Sequence, residues 1–193
     1  MLVSHSRLHG GFSLIELIIG IVVFAVALSL FAALIVPQAS RSADPILQVR
    51  ATELAQSMMN EISSKSFDQQ SSRVGGEARC NENANPCTAS NSLGADGSES
   101  RTHYNDVDDY NGLDEEGADI KNSFGTEVSI DGDALYQGFR AQVVVYYDDN
   151  MDGVDDAISS GNSNYVGNTK YIQISITSPT QQALIFSSYR SNY

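Results

Sequence analysis

The chain has 193 residues, which is enough for one ordinary domain and a membrane segment. It carries 24 Asp and Glu against 11 Lys and Arg, and a surface with a formal net charge of −13 repels phosphate backbones, which argues against direct nucleic-acid binding. With only three histidines and no evident nucleophile–base pair or phosphate loop, the composition also argues against an enzyme.

The N-terminal region is dominated by an apolar run, Leu17 to Val36, that holds no charge and one hydroxyl. At about 1.5 Å per residue, a helix of this length crosses the ~30 Å core of a bilayer. A secretory signal peptide has small residues after its apolar core, whereas here Gly10 and Gly11 precede it. We therefore predict a leader over residues 1–11 and a transmembrane helix over residues 12–36, with a cytoplasmic N-terminus and the remainder exported.

The segment GGFSLIELIIGIVVFAVAL, residues 10–28, resembles the N-terminal signal of type IV pilins and type II secretion pseudopilins. The resemblance implies that a prepilin peptidase cleaves between Gly11 and Phe12 and N-methylates Phe12, so that Glu16 becomes the fifth residue of the mature chain. In that family the glutamate is thought to pair with the N-terminal amine of a neighbouring subunit. An unpaired carboxylate in hydrocarbon is costly, whereas a desolvated carboxylate and ammonium satisfy each other. Glu16 is therefore expected to set the register of assembly.

A second, amphipathic helix is predicted over residues 37–67, after a break near Pro37. Asp44 followed by Pro45 is a helix-start signal, because a carboxylate caps free amides and proline suits the first turn. Apolar residues then recur at spacings of four, three, four and four: Leu47, Ala51, Leu54, Met58 and Ile62. Such a stripe is expected to cover a β-sheet of the same chain.

Residues 68–125 are rich in Ser, Asn, Gly and Asp, and we predict long polar surface loops that carry function or specificity. A low-complexity linker over residues 68–100 is the alternative. This region contains the two cysteines of the chain, Cys80 and Cys87, whose close spacing in an exported protein predicts a disulfide. A zinc site would need two further ligands nearby.

The C-terminal third, residues 126–193, is predicted to form an antiparallel sheet. FRAQVVVYY, residues 139–147, alternates apolar residues on one face, and KYIQISITSPTQQALIFSSYR, residues 170–190, gives two strands joined by a turn. A weaker candidate strand lies at Thr126–Ile130. The expected fold is α+β and pilin-like: a long N-terminal helix, half transmembrane and half amphipathic, packed on a sheet of about four strands.

Two further segments, YNDVDDYNG at residues 104–112 and SSYRSNY at residues 187–193, are similar to MshD-like minor pilins of the mannose-sensitive haemagglutinin (MSHA) pilus. This resemblance implies a minor pilin that joins or primes a pilus. Its partners would be other pilin subunits, prepilin peptidase and the inner-membrane assembly platform. The protein would cross the inner membrane once and pass through the periplasm into an extracellular pilus.

A type II secretion pseudopilin and a membrane-anchored adhesin are the alternative functions. An adhesin would bind a host glycan through the loops of residues 68–125, where exposed aromatic residues are few. Many type IV pilins close a C-terminal loop with a disulfide, whereas both cysteines lie early here. An adhesive surface like that of the major pilins is therefore not expected.

One acidic segment has the D-x-N-x-D-G spacing of a calcium loop, with Asp148, Asn150 and Asp152 as candidate ligands and Asp155 in place of the missing carboxylate. Alternatively, it is an acidic hairpin loop, because Asp, Asn and Gly suit turns. A second acidic cluster, at residues 106–114, has looser spacing and is interpreted as a solvated acidic face or a further cation site.

Overall fold

The structure is a computed structural model that describes residues 13–41, 44–83 and 85–193, with the side chains of residues 34–41 and 44 outside the description. The chain divides into two compact units, Met1–Pro45 and Ile46–Tyr193. The predicted leader, including Gly11, and the adjoining Phe12 lie outside the described residues.

Helix α1, Leu14–Arg41, belongs to the first unit. Its stretch Leu14–Ala33 is long and apolar enough to cross a membrane, and none of these residues is buried by the chain. The helix runs through Pro37 instead of breaking there, so the prediction of a new helix from residue 37 is wrong. Proline removes one backbone donor, but the other hydrogen bonds of the ladder keep the helix continuous.

Helix α2, Asp44–Ser63, ends four residues before the predicted boundary. The amide of Lys65 bonds to the carbonyl oxygen of Ile62 at 3.0 Å, a tight turn of the kind that closes helix ends. The apolar stripe of α2 is buried as predicted, with Ala51, Ala55 and Ile62 fully inaccessible to solvent.

Four strands form an antiparallel sheet in the order β1-β4-β5-β6, namely β1 Asp114–Glu116, β4 Arg140–Tyr147, β5 Thr169–Thr177 and β6 Ala183–Ser191. In this register Val145 faces Ile172 across β4 and β5, and Ile174 faces Phe186 across β5 and β6. The inward side chains of the sheet and the α2 stripe form one core. The predicted α+β fold, with the second helix packed on a four-stranded antiparallel sheet, is confirmed.

The edge strand β1 lies inside the segment predicted as loops, and this part of the prediction is wrong. Its three residues are all acidic, so no apolar alternation marks them, and the strand forms by backbone pairing with β4. The weaker candidate strand at Thr126–Ile130 pairs elsewhere, because β2, Ser129–Ile130, and β3, Asp133–Ala134, form a separate two-stranded sheet. The segment predicted as loops, residues 68–125, also contributes Val107, Tyr110 and Ile120 to the core.

Candidate functional site

Glu16 lies in the first turn of α1 and is exposed, as are the apolar side chains around it. A carboxylate in the first turn of a helix is favoured by the helix dipole. Within the part of the chain that the structure describes, no basic side chain comes within ion-pair distance of Glu16. The hydroxyl of Ser29 donates to the carbonyl oxygen of Val26 at 2.8 Å, so its polar hydrogen is satisfied within the helix. The stretch Leu14–Ala33 therefore presents a hydrocarbon surface with one carboxylate at its start.

Cys80 and Cys87 form the predicted disulfide, with their Cα atoms 4.7 Å apart. Both are buried in a small second core together with Phe67 and Tyr147. The side-chain amide of Asn192 donates to the carbonyl oxygen of Cys80 at 2.9 Å. The disulfide loop is thereby fastened to the segment that follows β6.

The candidate calcium ligands lie in the loop after β4, where they accept hydrogen bonds from the backbone of that loop. The Asp148 carboxylate accepts from the amides of Asp152 at 3.0 Å and Gly153 at 2.8 Å, and from the Tyr189 hydroxyl at 2.9 Å. The Asn150 side-chain oxygen also accepts from the Asp152 amide, at 3.1 Å. These contacts are those of an acidic turn. A carboxylate has about four acceptor sites, so Asp148 retains capacity for a cation, and calcium binding stays a prediction.

Asp155 has a different role, because its carboxylate accepts from the amide of Ala157 at 2.8 Å and caps the short helix α3, Asp156–Ser160. In residues 13–41, 44–83 and 85–193, the one group of at least three His, Cys, Asp or Glu with ligand atoms close enough to share an ion is Asp68, Cys80 and Cys87. The sulfurs of this group are joined in the disulfide, so it does not offer a metal site.

The second acidic cluster surrounds a buried lysine. Lys170, on the core face of β5, donates to a carboxylate oxygen of Asp108 at 2.6 Å and to the carbonyl oxygen of Phe67 at 2.7 Å. A carboxylate oxygen of Asp68 lies 3.6 Å from the same ammonium, and the Phe67 ring centroid lies 4.4 Å from it. Asp106 and Asp109 are also buried. The interpretation as a solvated acidic face is therefore wrong for these residues, and the cation among them is a lysine ammonium.

This cluster perturbs the protonation of its members. Burial and the neighbouring Asp108 carboxylate raise the pKa of Asp106 to about 8. Burial also raises the pKa of Asp109, although the amides of Asn105 and Asp106 that donate to its carboxylate oppose the shift. The raised pKa favours the protonated form of Asp106, and this form reduces the charge repulsion among the buried carboxylates.

Lys170 was missed at the sequence level, although a signal for it exists. It has the same parity on β5 as Ile172, Ile174 and Ile176, which places a lysine on the buried face of a strand. A buried lysine requires an acidic partner. That partner was unidentifiable from spacing alone, because Asp108 is 62 residues away.

A second buried ion pair joins α2 to the loop region. The Arg101 guanidinium donates to both carboxylate oxygens of Glu61, at 3.2 and 2.8 Å, and to Glu115 at 2.6 Å. The Tyr110 hydroxyl donates to the Glu61 carboxylate at 2.7 Å. Burial raises the pKa of Tyr110, and this hydrogen bond raises it further. These contacts fix the segment around β1 against α2, which explains how a polar region without apolar periodicity is ordered.

A protein-family model described as the prokaryotic N-terminal methylation motif matches residues 6–32. This range includes Gly11, Phe12 and Glu16 and most of the apolar run. No curated protein and no solved structure matches the chain. The match thus covers the N-terminal segment, and the description of residues 46–193 depends on their own contacts.

Proposed function

We propose that the protein is a minor pilin of an MSHA-like type IV pilus. The chain carries the prokaryotic N-terminal methylation motif, which is typical of the type IV pilin and pseudopilin superfamily. The motif implies processing by prepilin peptidase, assembly with other pilins and anchoring in the inner membrane. Members of the superfamily are generally structural proteins without enzymatic activity, and we expect none here.

The observation that carries the proposal is the exposed apolar stretch Leu14–Ala33 with Glu16 in its first turn. A helix that is apolar on all sides is stable where lipid or other helices cover it. In the proposed mechanism, cleavage after Gly11 creates a new N-terminal amine on Phe12, four residues before Glu16. When helices of neighbouring subunits stack, this amine and the Glu16 carboxylate of a neighbour approach each other in a low dielectric and stabilise one register.

Processing is tested by mass spectrometry of the mature chain from cells with an active prepilin peptidase. We expect an N-terminal methyl-phenylalanine derived from Phe12 and the absence of residues 1–11. A variant in which Gly11 is replaced by a bulky residue is expected to remain unprocessed. If the mature wild-type protein keeps residues 1–11, the proposal is wrong and the protein is a simple membrane-anchored domain.

The charge-pairing step is tested with Glu16→Gln, which keeps the shape of the side chain and removes its charge. We expect normal membrane insertion, because the apolar run is intact, and reduced incorporation into filaments. Glu53→Gln is the matched control, since Glu53 is an exposed carboxylate on α2. Equal incorporation of Glu16→Gln and Glu53→Gln would contradict the pairing.

A type II secretion pseudopilin is the alternative, and it shares every N-terminal feature of this chain. The two functions are separated by co-purification of the tagged full chain. Recovery with surface pili supports the minor pilin, whereas recovery with a periplasmic secretion pseudopilus supports the alternative.

A further inference from the structure

A small polar cavity lies beside the C-terminal end of β6, within the unit Ile46–Tyr193. Its volume is about 130 Å³. Two arginines line it, Arg73 from the loop after α2 and Arg190 from β6, together with Ser71, Ser72 and Asn192. Two arginines at one small cavity are unusual in a chain with 24 acidic and 11 basic residues.

Arg190 is half-buried and has one unsatisfied donor at this position. Its Nε is buried and has no hydrogen-bond partner among the described residues. The ion pairs found in that part of the chain involve Arg101, Arg140 and Lys170, and Arg190 takes part in none of them. A buried donor left without an acceptor carries the full cost of its desolvation, and native structures seldom retain one without a reason.

The strand register increases this cost. Arg190 lies directly opposite Lys170 in the pairing of β5 with β6. Like charges in directly opposed positions destabilise a sheet. The carboxylates of Asp108 and Asp68 compensate Lys170, at 2.6 and 3.6 Å from its ammonium. Arg190 therefore remains the uncompensated cation of the pair.

Ser71 and Ser72, which line the cavity, donate their hydroxyl groups to other residues. The Ser71 hydroxyl donates to the side-chain oxygen of Asn192 at 2.5 Å, and the Ser72 hydroxyl donates to the Glu77 carboxylate at 2.5 Å. Glu77 is thus held by a serine, and neither arginine forms an ion pair with it. The cavity is thus lined by two arginines without an ion-pair partner among the described residues, and it has room for a single small group.

We propose that this cavity binds one oxyanion, the carboxylate, sulfate or phosphate group of a ligand, between the guanidinium groups of Arg190 and Arg73. The planar donor fork of arginine matches the oxygens of such groups, and a charged acceptor gives the stronger class of hydrogen bond. The oxyanion is either a free ion or a carboxylate presented by another protein chain. The site is remote in sequence from Glu16 and does not depend on the proposed pilus function.

The test is isothermal titration calorimetry of the mature full-length chain in a non-ionic detergent. Sodium sulfate, sodium phosphate and sodium acetate are titrated at constant ionic strength, because surface charge effects are screened by salt whereas a built site saturates. We expect saturable binding in the millimolar range. Arg190→Gln removes a charged hydrogen-bond donor, so it is expected to weaken binding by about tenfold or more.

Arg140→Gln is the matched control, since Arg140 is an exposed arginine that pairs with Asp114 on the outer face of the sheet. It is expected to leave anion binding unchanged. Arg73→Gln, in an exposed loop position, is expected to weaken binding as well, and it keeps the test valid if Arg190→Gln unfolds. Far-UV circular dichroism of each variant reports folding.

A peptide with the sequence of residues 148–156, which is rich in carboxylates, distinguishes a free ion from a carboxylate of another chain as the source of the oxyanion. Binding of the peptide without binding of the free ions supports a carboxylate from another chain, whereas binding of the ions supports a free oxyanion. No saturable binding of any probe overturns the proposal. Binding that Arg190→Gln and Arg73→Gln leave unchanged in folded protein also overturns it.

Discussion

Replacing Asp106 by asparagine is expected to change how the stability of the globular unit depends on pH. The folded-state pKa of Asp106 is raised to about 8 from an ordinary value of 3.8. Between these values the folded state binds a proton that the unfolded state releases. The stabilising contribution of Asp106 is therefore fully present below pH ~4, declines as the pH rises, and is lost above the folded-state pKa.

The size of the effect follows from the burial of this carboxyl, which is 2% exposed and little screened by solvent. One proton bound only in the folded state changes the free energy of unfolding by about 1.4 kcal/mol per pH unit. Across the three pH units from 5 to 8 the one-proton limit is therefore about 4 kcal/mol. Asparagine stays neutral and can donate to Asp108 at every pH, so the variant is expected to lose this slope and to be the more stable form at pH 8.

The assay is urea unfolding of residues 46–193, followed by far-UV circular dichroism at four pH values from 5 to 8. The informative quantity is the difference in free energy of unfolding between Asp106→Asn and wild type at each pH, because Asp109 and other groups add their own pH dependence. Asp133→Asn, at an exposed position on β3, is the control. Parallel curves for wild type and Asp106→Asn would refute the argument that Asp106 is protonated in the folded state.

Three further changes test other parts of the structure. Lys170→Met leaves two buried carboxylates without their cation and is expected to cost about 3–5 kcal/mol in urea unfolding, whereas the same change at exposed Lys121 costs little; equal costs would contradict the buried pair. The double variant Cys80→Ser and Cys87→Ser is expected to lose about 2.5 kcal/mol, the entropy of closing a short loop, and unchanged stability would remove that role. Millimolar calcium is expected to raise the melting temperature of wild type but not of Asp148→Asn, and an unchanged wild-type value would end the calcium prediction.

Elements that bury one face were predictable from the sequence. The stripe of α2 and the alternation along β4 and β5 encode which side chains face the core, and the structure buries most of those side chains. On β6, Leu184 and Phe186 are partly buried against the same core. The close spacing of the two cysteines was likewise sufficient to predict the disulfide. In each case the determining interaction is local, or depends on periodicity alone.

Elements that depend on distant partners were not predictable in this way. Strand β1 has three acidic residues and no alternation, and it is ordered because Glu115 meets Arg101 and the backbone meets β4. Arg101 in turn binds Glu61, which is 40 residues away. A sequence shows that such charges exist but not which of them pair, so these residues read as solvated loop. The polar region is ordered by these ion pairs and by the core contacts of Val107, Tyr110 and Ile120, none of which a periodic apolar pattern marks.

Both units of the chain obey the same rule, that a charge removed from water needs a partner of opposite sign. In the globular unit the partner is internal, as Asp108 is for Lys170. The Glu16 carboxylate has no such partner among the described residues. Burial of α1 in a filament would therefore be unfavourable unless the neighbour supplies a cation at the depth of Glu16. We infer that the carboxylate favours the stacked register that provides this cation over any register that does not.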